Sequence, residues 1–132
     1  MKKLLALLAI SLIYVSCEEV SETYLYVLKN KSSHKVTVKV YYSNFVIDSF
    51  SAEANSYIEK EYGWENNFCL IDRYTDSTEI IFDADKKITF YRDSITQTNN
   101  IYDKTSYTLV GDKDELKVYY YTLTDSDYSA AK

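Results

Sequence analysis

The chain predicts an all-β fold, a small single-domain antiparallel β-sandwich (immunoglobulin-like or similar) of eight to nine short strands. Three observations carry this expectation. Tyrosine occurs fifteen times in 132 residues, beside frequent Val, Ile, Thr and Phe, the residues that suit a pleated, half-buried surface. There is no Pro and there are only two Gly, so the turns fall to Asn, Asp and Ser. Short apolar runs recur at near-regular spacing, and no long amphipathic helix interrupts them. A small closed barrel is the second architecture this pattern allows.

The strands follow in order. Thr23 to Lys29 is apolar on both faces, as a central or doubly covered strand is. Asn30-Lys31-Ser32-Ser33 is a turn cluster. Lys35 to Tyr42 alternates cleanly, with Val36, Val38, Val40 and Tyr42 on one face and Lys35, Thr37, Lys39 and Tyr41 on the other. Asn44 breaks it and Phe45 to Ser51 resumes. Asn55-Ser56 leads into Tyr57 to Tyr62, and Gly63 to Asn67 reads as a loop before the brief apolar run Phe68 to Ile71.

Thr78 to Phe82 and Lys87 to Tyr91 flank Asp83-Ala84-Asp85-Lys86, a hairpin signature. Asp93 to Asn100 is a polar loop. Tyr107 to Val110 and Leu116 to Leu123 flank Gly111-Asp112-Lys113-Asp114, a second hairpin. Asp125 to Ala131 has the composition of one helical turn, with Thr124 as its cap.

The first residues have a different character. Lys2 and Lys3 precede an apolar run from Leu4 to Val15. Twelve residues are too few to cross a hydrocarbon core of about 30 Å as a helix, which takes roughly 20. The run has the length and flanks of a signal-peptide h-region. It ends in Tyr14-Val15-Ser16-Cys17, which resembles the lipobox of bacterial lipoproteins, with Tyr14 where Leu is usual. The resemblance implies cleavage before Cys17 and acylation of that residue. Several acyl chains at one site give stable anchoring, whereas one gives only marginal binding.

The domains expected are therefore a cleaved lipoprotein signal peptide at 1–16, an acidic tether at 17–22 and a β-sandwich domain at 23–132. The tether residues Glu18-Glu19-Val20-Ser21-Glu22 are similar to the export signal of Bacteroidetes surface lipoproteins. The chain from Cys17 onward holds 13 Lys and Arg against 20 Asp and Glu, a net charge of −7. That balance argues against nucleic acid and against electrostatic attachment to anionic lipid. With Cys17 acylated, Cys69 has no partner for a disulfide, and its neighbours Phe68, Leu70 and Ile71 suit an inert buried thiol.

No constellation of residues points to catalysis. His34, the one histidine, stands in a turn with no ligand-type neighbour at metal spacing, so it reads as a solvated residue. Gly63 and Gly111 stand alone, so no phosphate loop exists. Asp83/Asp85, Asp112/Asp114 and Asp125/Asp127 lack the Gly and Glu that complete a calcium loop. No cofactor, no metal and no enzymatic activity are expected.

The tyrosines are the better lead. In the last strand Leu116, Val118 and Tyr120 share one face, while Lys117, Tyr119 and Tyr121 share the other. With the Leu/Val face as core, Tyr119 and Tyr121 stand outside, as Tyr41 does beside Lys39. Such rings stack on sugars or pack against a protein, and they equally stabilise a sheet through cross-strand pairs. Trp64, in the Gly63 loop, joins Tyr41, Tyr119 and Tyr121 as a candidate contact residue, at a binding edge or as a plug of the sandwich.

As a whole the chain resembles the small outer-membrane lipoproteins of Bacteroidetes. The resemblance rests on Cys17-Glu18-Glu19, on Val27 to His34, on Ile80-Ile81-Phe82-Asp83 and on Tyr121 to Tyr128. It implies a lipid-anchored protein of the outer membrane, exposed at the cell surface as a non-enzymatic interaction or accessory module. Its partners would be the membrane, through lipid on Cys17, and an envelope protein or a glycan. Two alternatives remain open: a surface glycan-binding module using the tyrosines, and a periplasmic inhibitor or immunity-type lipoprotein whose acidic surface neutralises a basic partner.

Overall fold

A computed structural model describes residues 23–62, 70–71, 74–94, 97–113 and 116–132. Eight strands run in the order β1 (Thr23–Asn30), β2 (Val36–Tyr42), β3 (Phe45–Ala52), β4 (Tyr57–Tyr62), β5 (Ser77–Phe82), β6 (Lys86–Tyr91), β7 (Tyr107–Lys113) and β8 (Leu116–Leu123). One short helix, α1 (Asp125–Ala130), follows. The strands form two four-stranded sheets, β4-β1-β8-β7 and β3-β2-β5-β6. The two-sheet sandwich expected from the sequence is the architecture found, and no barrel closes.

Two features depart from the expected form. β1 and β8 pair in parallel, while every other pair is antiparallel. A parallel pair needs a long connection, and here the connection is nearly the whole domain. The strand order also differs from the immunoglobulin order, in which the first two strands share a sheet.

The inner faces hold the core. Tyr24, Tyr26 and Leu28 of β1 and Tyr121 and Leu123 of β8 face Val36, Val38, Val40, Ile80, Phe82 and Phe90 of the other sheet. β2 buries the face its alternation marks. β1 is central in its sheet, and even its outward Val27 is only 4% exposed. Leu70 and Ile71 are buried as expected, but as a bend and not as a strand. Phe68 and Cys69 lie outside the described residues.

The turns explain the hairpins. Ser43 and Asn44 take φ of 48° and 68°, and Asp83 and Ala84 take 49° and 61°, the paired left-handed values of tight hairpin turns. The second hairpin differs from expectation, because Gly111 lies within β7 at a register shift opposite Val118. A Cβ on Gly111 would meet Val118 Cγ2 at 3.4 Å, so the bulge brings the backbones close there. Before α1, the Asp127 carboxylate accepts from the Thr124 N–H at 2.8 Å and from its hydroxyl at 3.0 Å. The cap expected at Thr124 is therefore supplied largely by Asp127.

Two edge strands, β3 and β4, lie on the same side of the sandwich. Lys60 on β4 and Asp48 on β3 form an ion pair between them, and the Lys60 ammonium sits 4.0 Å above the Phe50 ring. Inward-pointing charge at an edge discourages further strand pairing.

Candidate binding surfaces

The candidate tyrosines separate in the fold. Tyr121 is fully buried, and Tyr119 is half-buried against the core. The expectation that both stand outside is overturned. β8 lies on β1 with Tyr119 beside Tyr26 and Tyr121 beside Leu28, and both of those partners face inward. A tyrosine is large enough to fill the gap between sheets, provided its hydroxyl finds a partner. The Tyr121 hydroxyl donates to the Asn99 carbonyl at 2.7 Å, and that of Tyr107 donates to the Ile101 carbonyl at 2.6 Å. Burial pushes the Tyr121 phenol well above its ordinary pKa.

Tyr119 stacks on Tyr26 at 5.5 Å between ring centroids and belongs to the same layer. Tyr41 does lie on the outer face, but its hydroxyl donates to Glu79 at 2.7 Å. That bond raises the Tyr41 pKa. Glu79 is held below the usual carboxylate range by Lys87, 2.5 Å away, and then by Tyr41. Cys17 and Trp64 lie outside the described residues.

Inversion of β8 turns a different tyrosine outward. Tyr120, on the face assigned to the core by the sequence pattern, lines an open groove of about 270 Å³ on the outer face of the first sheet, with Val27, Lys29, Tyr57 and Glu59. Val27 lies between Glu59 and Tyr120, and Lys29 lies directly opposite Tyr57. Tyr57 is 64% exposed. The Lys29 ammonium stands 5.2 Å from the Tyr120 ring centroid, a cation over an aromatic face. An apolar floor, two phenol walls, an ammonium and a carboxylate within one groove can stack on a ring and hydrogen-bond its edge. No sequence signal distinguished Tyr57 and Tyr120 from the other tyrosines, because the outward face of β8 depends on its neighbour.

A second surface lies at one end of the sandwich. The β2–β3 hairpin projects Tyr42, Phe45, Val46 and Ile47, each more than half exposed, with Phe45 at 75%. On the outer face Val46 is opposite Tyr41, Tyr41 opposite Ser77 and Ser77 opposite exposed Tyr91. The turn is pinned by Asp76, whose carboxylate accepts from the Ser43 N–H at 2.6 Å.

His34 proves to be a packed residue and not a solvated one. Its Nδ1 lies 2.6 Å from the Asp83 carboxylate, and its ring stacks on Tyr128 at 3.6 Å. An ionised carboxylate only accepts, so Nδ1 carries the hydrogen. The His34 bond holds the Asp83 carboxyl below its ordinary range, with help from the Lys35 N–H. This pair joins the β1–β2 loop, the β5–β6 turn and α1. Among the described residues, no group of three or more His, Cys, Asp or Glu is placed to hold a metal ion, and no helix is long and apolar enough to cross a membrane.

No family model, curated protein or solved structure matches this chain.

Proposed function

We propose that this chain is a non-enzymatic, lipid-anchored protein of the bacterial outer membrane, acting as an interaction module at the cell surface. The observation that carries the module reading is the outer-face groove, where Tyr57, Tyr120, Lys29, Glu59 and Val27 converge. The anchor reading is supported by the sequence around Cys17. Cross-linking in intact native cells, followed by pull-down of the tagged protein, tests the reading. A specific envelope partner or polysaccharide that is lost with Tyr57→Ser plus Tyr120→Ser is the expected result. An eluate holding only the bait, or a partner that the double variant retains, counts against the groove.

The same groove favours a second reading, a glycan-binding module. Its two phenols and the Lys29–Glu59 flanks suit one sugar ring of an oligosaccharide. A panel of neutral oligosaccharides is the test. Binding that Tyr57→Ser abolishes and Tyr41→Ser leaves intact supports the reading, and no binding above background removes it.

A further inference from the structure

The chain enters the sandwich at Thr23, and Thr23 is paired with Leu116 at the start of β8. β1 runs away from that point to Asn30, and β2 returns after the short loop 31–35. The level of the molecule is fixed by the Lys60–Asp48 pair, since Lys60 lies opposite Tyr26 and Asp48 opposite Val40. Two to three residues beyond that level lie Thr23 on one sheet and Tyr42 and Phe45 on the other. The entry point of the chain and the apolar hairpin therefore share one end of the sandwich. Leu116, itself 39% exposed, stands beside Thr23 at that end.

We propose that this end rests on the lipid surface, with the β2–β3 hairpin dipping Phe45, Val46 and Ile47 into the headgroup region. The proposal builds on the anchor at Cys17. Six residue steps separate Cys17 from Thr23, and extended chain spans at most about 3.5 Å per residue, so the tether is at most about 21 Å long. A domain held that close by its Thr23 end presents the hairpin end to the membrane and not the opposite one.

The chemistry of the hairpin suits that position. Apolar side chains that lie in an interface bury to about 5–10 Å, at the boundary of headgroups and acyl chains. Tyrosine is favoured at this depth because its ring is apolar and its hydroxyl wet; Tyr42 adjoins the apolar tip, and exposed Tyr91 lies at the same end on the far edge strand. The tip needs no attraction to anionic lipid, in keeping with an acidic chain. The opposite end, where Asn30, His34, Asp83 and Asp125 are engaged in hydrogen bonds, presents polar turns to water.

The test uses the full acylated protein bound to phosphatidylethanolamine/phosphatidylglycerol vesicles, with and without brominated acyl chains. Phe45→Trp and Ile47→Trp each place a reporter on the hairpin, Glu53→Trp places one at the opposite end, and the unaltered protein supplies the baseline from Trp64. The expected result is that emission from the added hairpin Trp is lost to the brominated lipid while that of the Glu53→Trp variant is kept. Vesicle-bound protein in which both ends behave alike overturns the proposal and leaves the anchor standing. A hairpin Trp shielded from iodide in water but untouched by brominated lipid overturns it in favour of a protein contact. Protein that carries no acyl group and does not float with vesicles refutes the anchor, and the proposal falls with it.

Discussion

The two ends of this sandwich are finished by opposite means. At the end where β1 passes into β2, the closure is polar. Buried Asn30 donates to the carbonyls of His34 at 2.7 Å, Glu53 at 2.9 Å and Ala52 at 3.3 Å. Its carbonyl oxygen accepts from the Ser32 hydroxyl at 2.7 Å and from the Ser32 N–H at 3.1 Å. Asp125 accepts from the Ser33 N–H at 2.9 Å, and the Lys132 N–H reaches back to the Lys87 carbonyl at 3.1 Å. At the other end the hairpin projects apolar side chains that the fold leaves uncovered. At the first end the turn groups of Asn30, Ser32, Ser33 and Asp125 are engaged by the chain itself. The second leaves Phe45, Val46 and Ile47 exposed.

The difference can be broken at the closed end with large effect. Tyr121→Ala removes a fully buried ring and strands the Asn99 carbonyl, and it is expected to lower stability by about 3–5 kcal/mol in urea unfolding. The same change at exposed Tyr91 should fall within about 0.5 kcal/mol. Asn30→Leu leaves several buried groups without their partner, and a loss of about 3 kcal/mol is expected.

Acid should separate the ends next. Asp83 and Asp125 are both held below the ordinary carboxylate value of 3.8, Asp83 chiefly by His34 and Asp125 chiefly by the Ser33 N–H. A depressed folded pKa means the stability these groups add is full above that ordinary value and is lost as pH falls through the folded one. Thermal midpoints of the unaltered protein and of Asp83→Asn should therefore differ at pH 7 and converge below about pH 3.8. The smallest effect belongs to the open end. Phe45→Ser with Ile47→Ser should change unfolding stability by no more than about 0.5 kcal/mol, and a larger loss would show that the hairpin serves the fold.

How much of this was legible in the sequence depended on whether a strand carried one apolar face or two. β2 alternates Val with Lys and Thr, and its buried face followed directly. The turns at Asn44 and at Asp83–Asp85 were marked by residues that tolerate left-handed backbone. β8, with Leu116, Val118 and Tyr120 on one side and Tyr119, Tyr121 and Leu123 on the other, had no such bias. Its orientation was set by parallel pairing with β1, a partner more than ninety residues away in sequence. Assigning the larger aromatic face to solvent was the physical error, because Tyr121 finds its hydroxyl partner in the loop around Asn99. His34 was missed for the same reason, since its partners Asp83 and Tyr128 are distant in the chain. The groove at Tyr57 and Tyr120 follows from the β8 orientation and was hidden with it.

The anchor at Cys17 underlies both the proposed location and the orientation on the membrane. The most direct measurement is the intact mass and N-terminal peptide of the protein extracted from its native cells. The account expects a mature chain beginning at Cys17 and carrying a diacylglyceryl group with an amide-linked acyl chain. A mature chain beginning elsewhere, or Cys17 recovered as a free thiol, would contradict it.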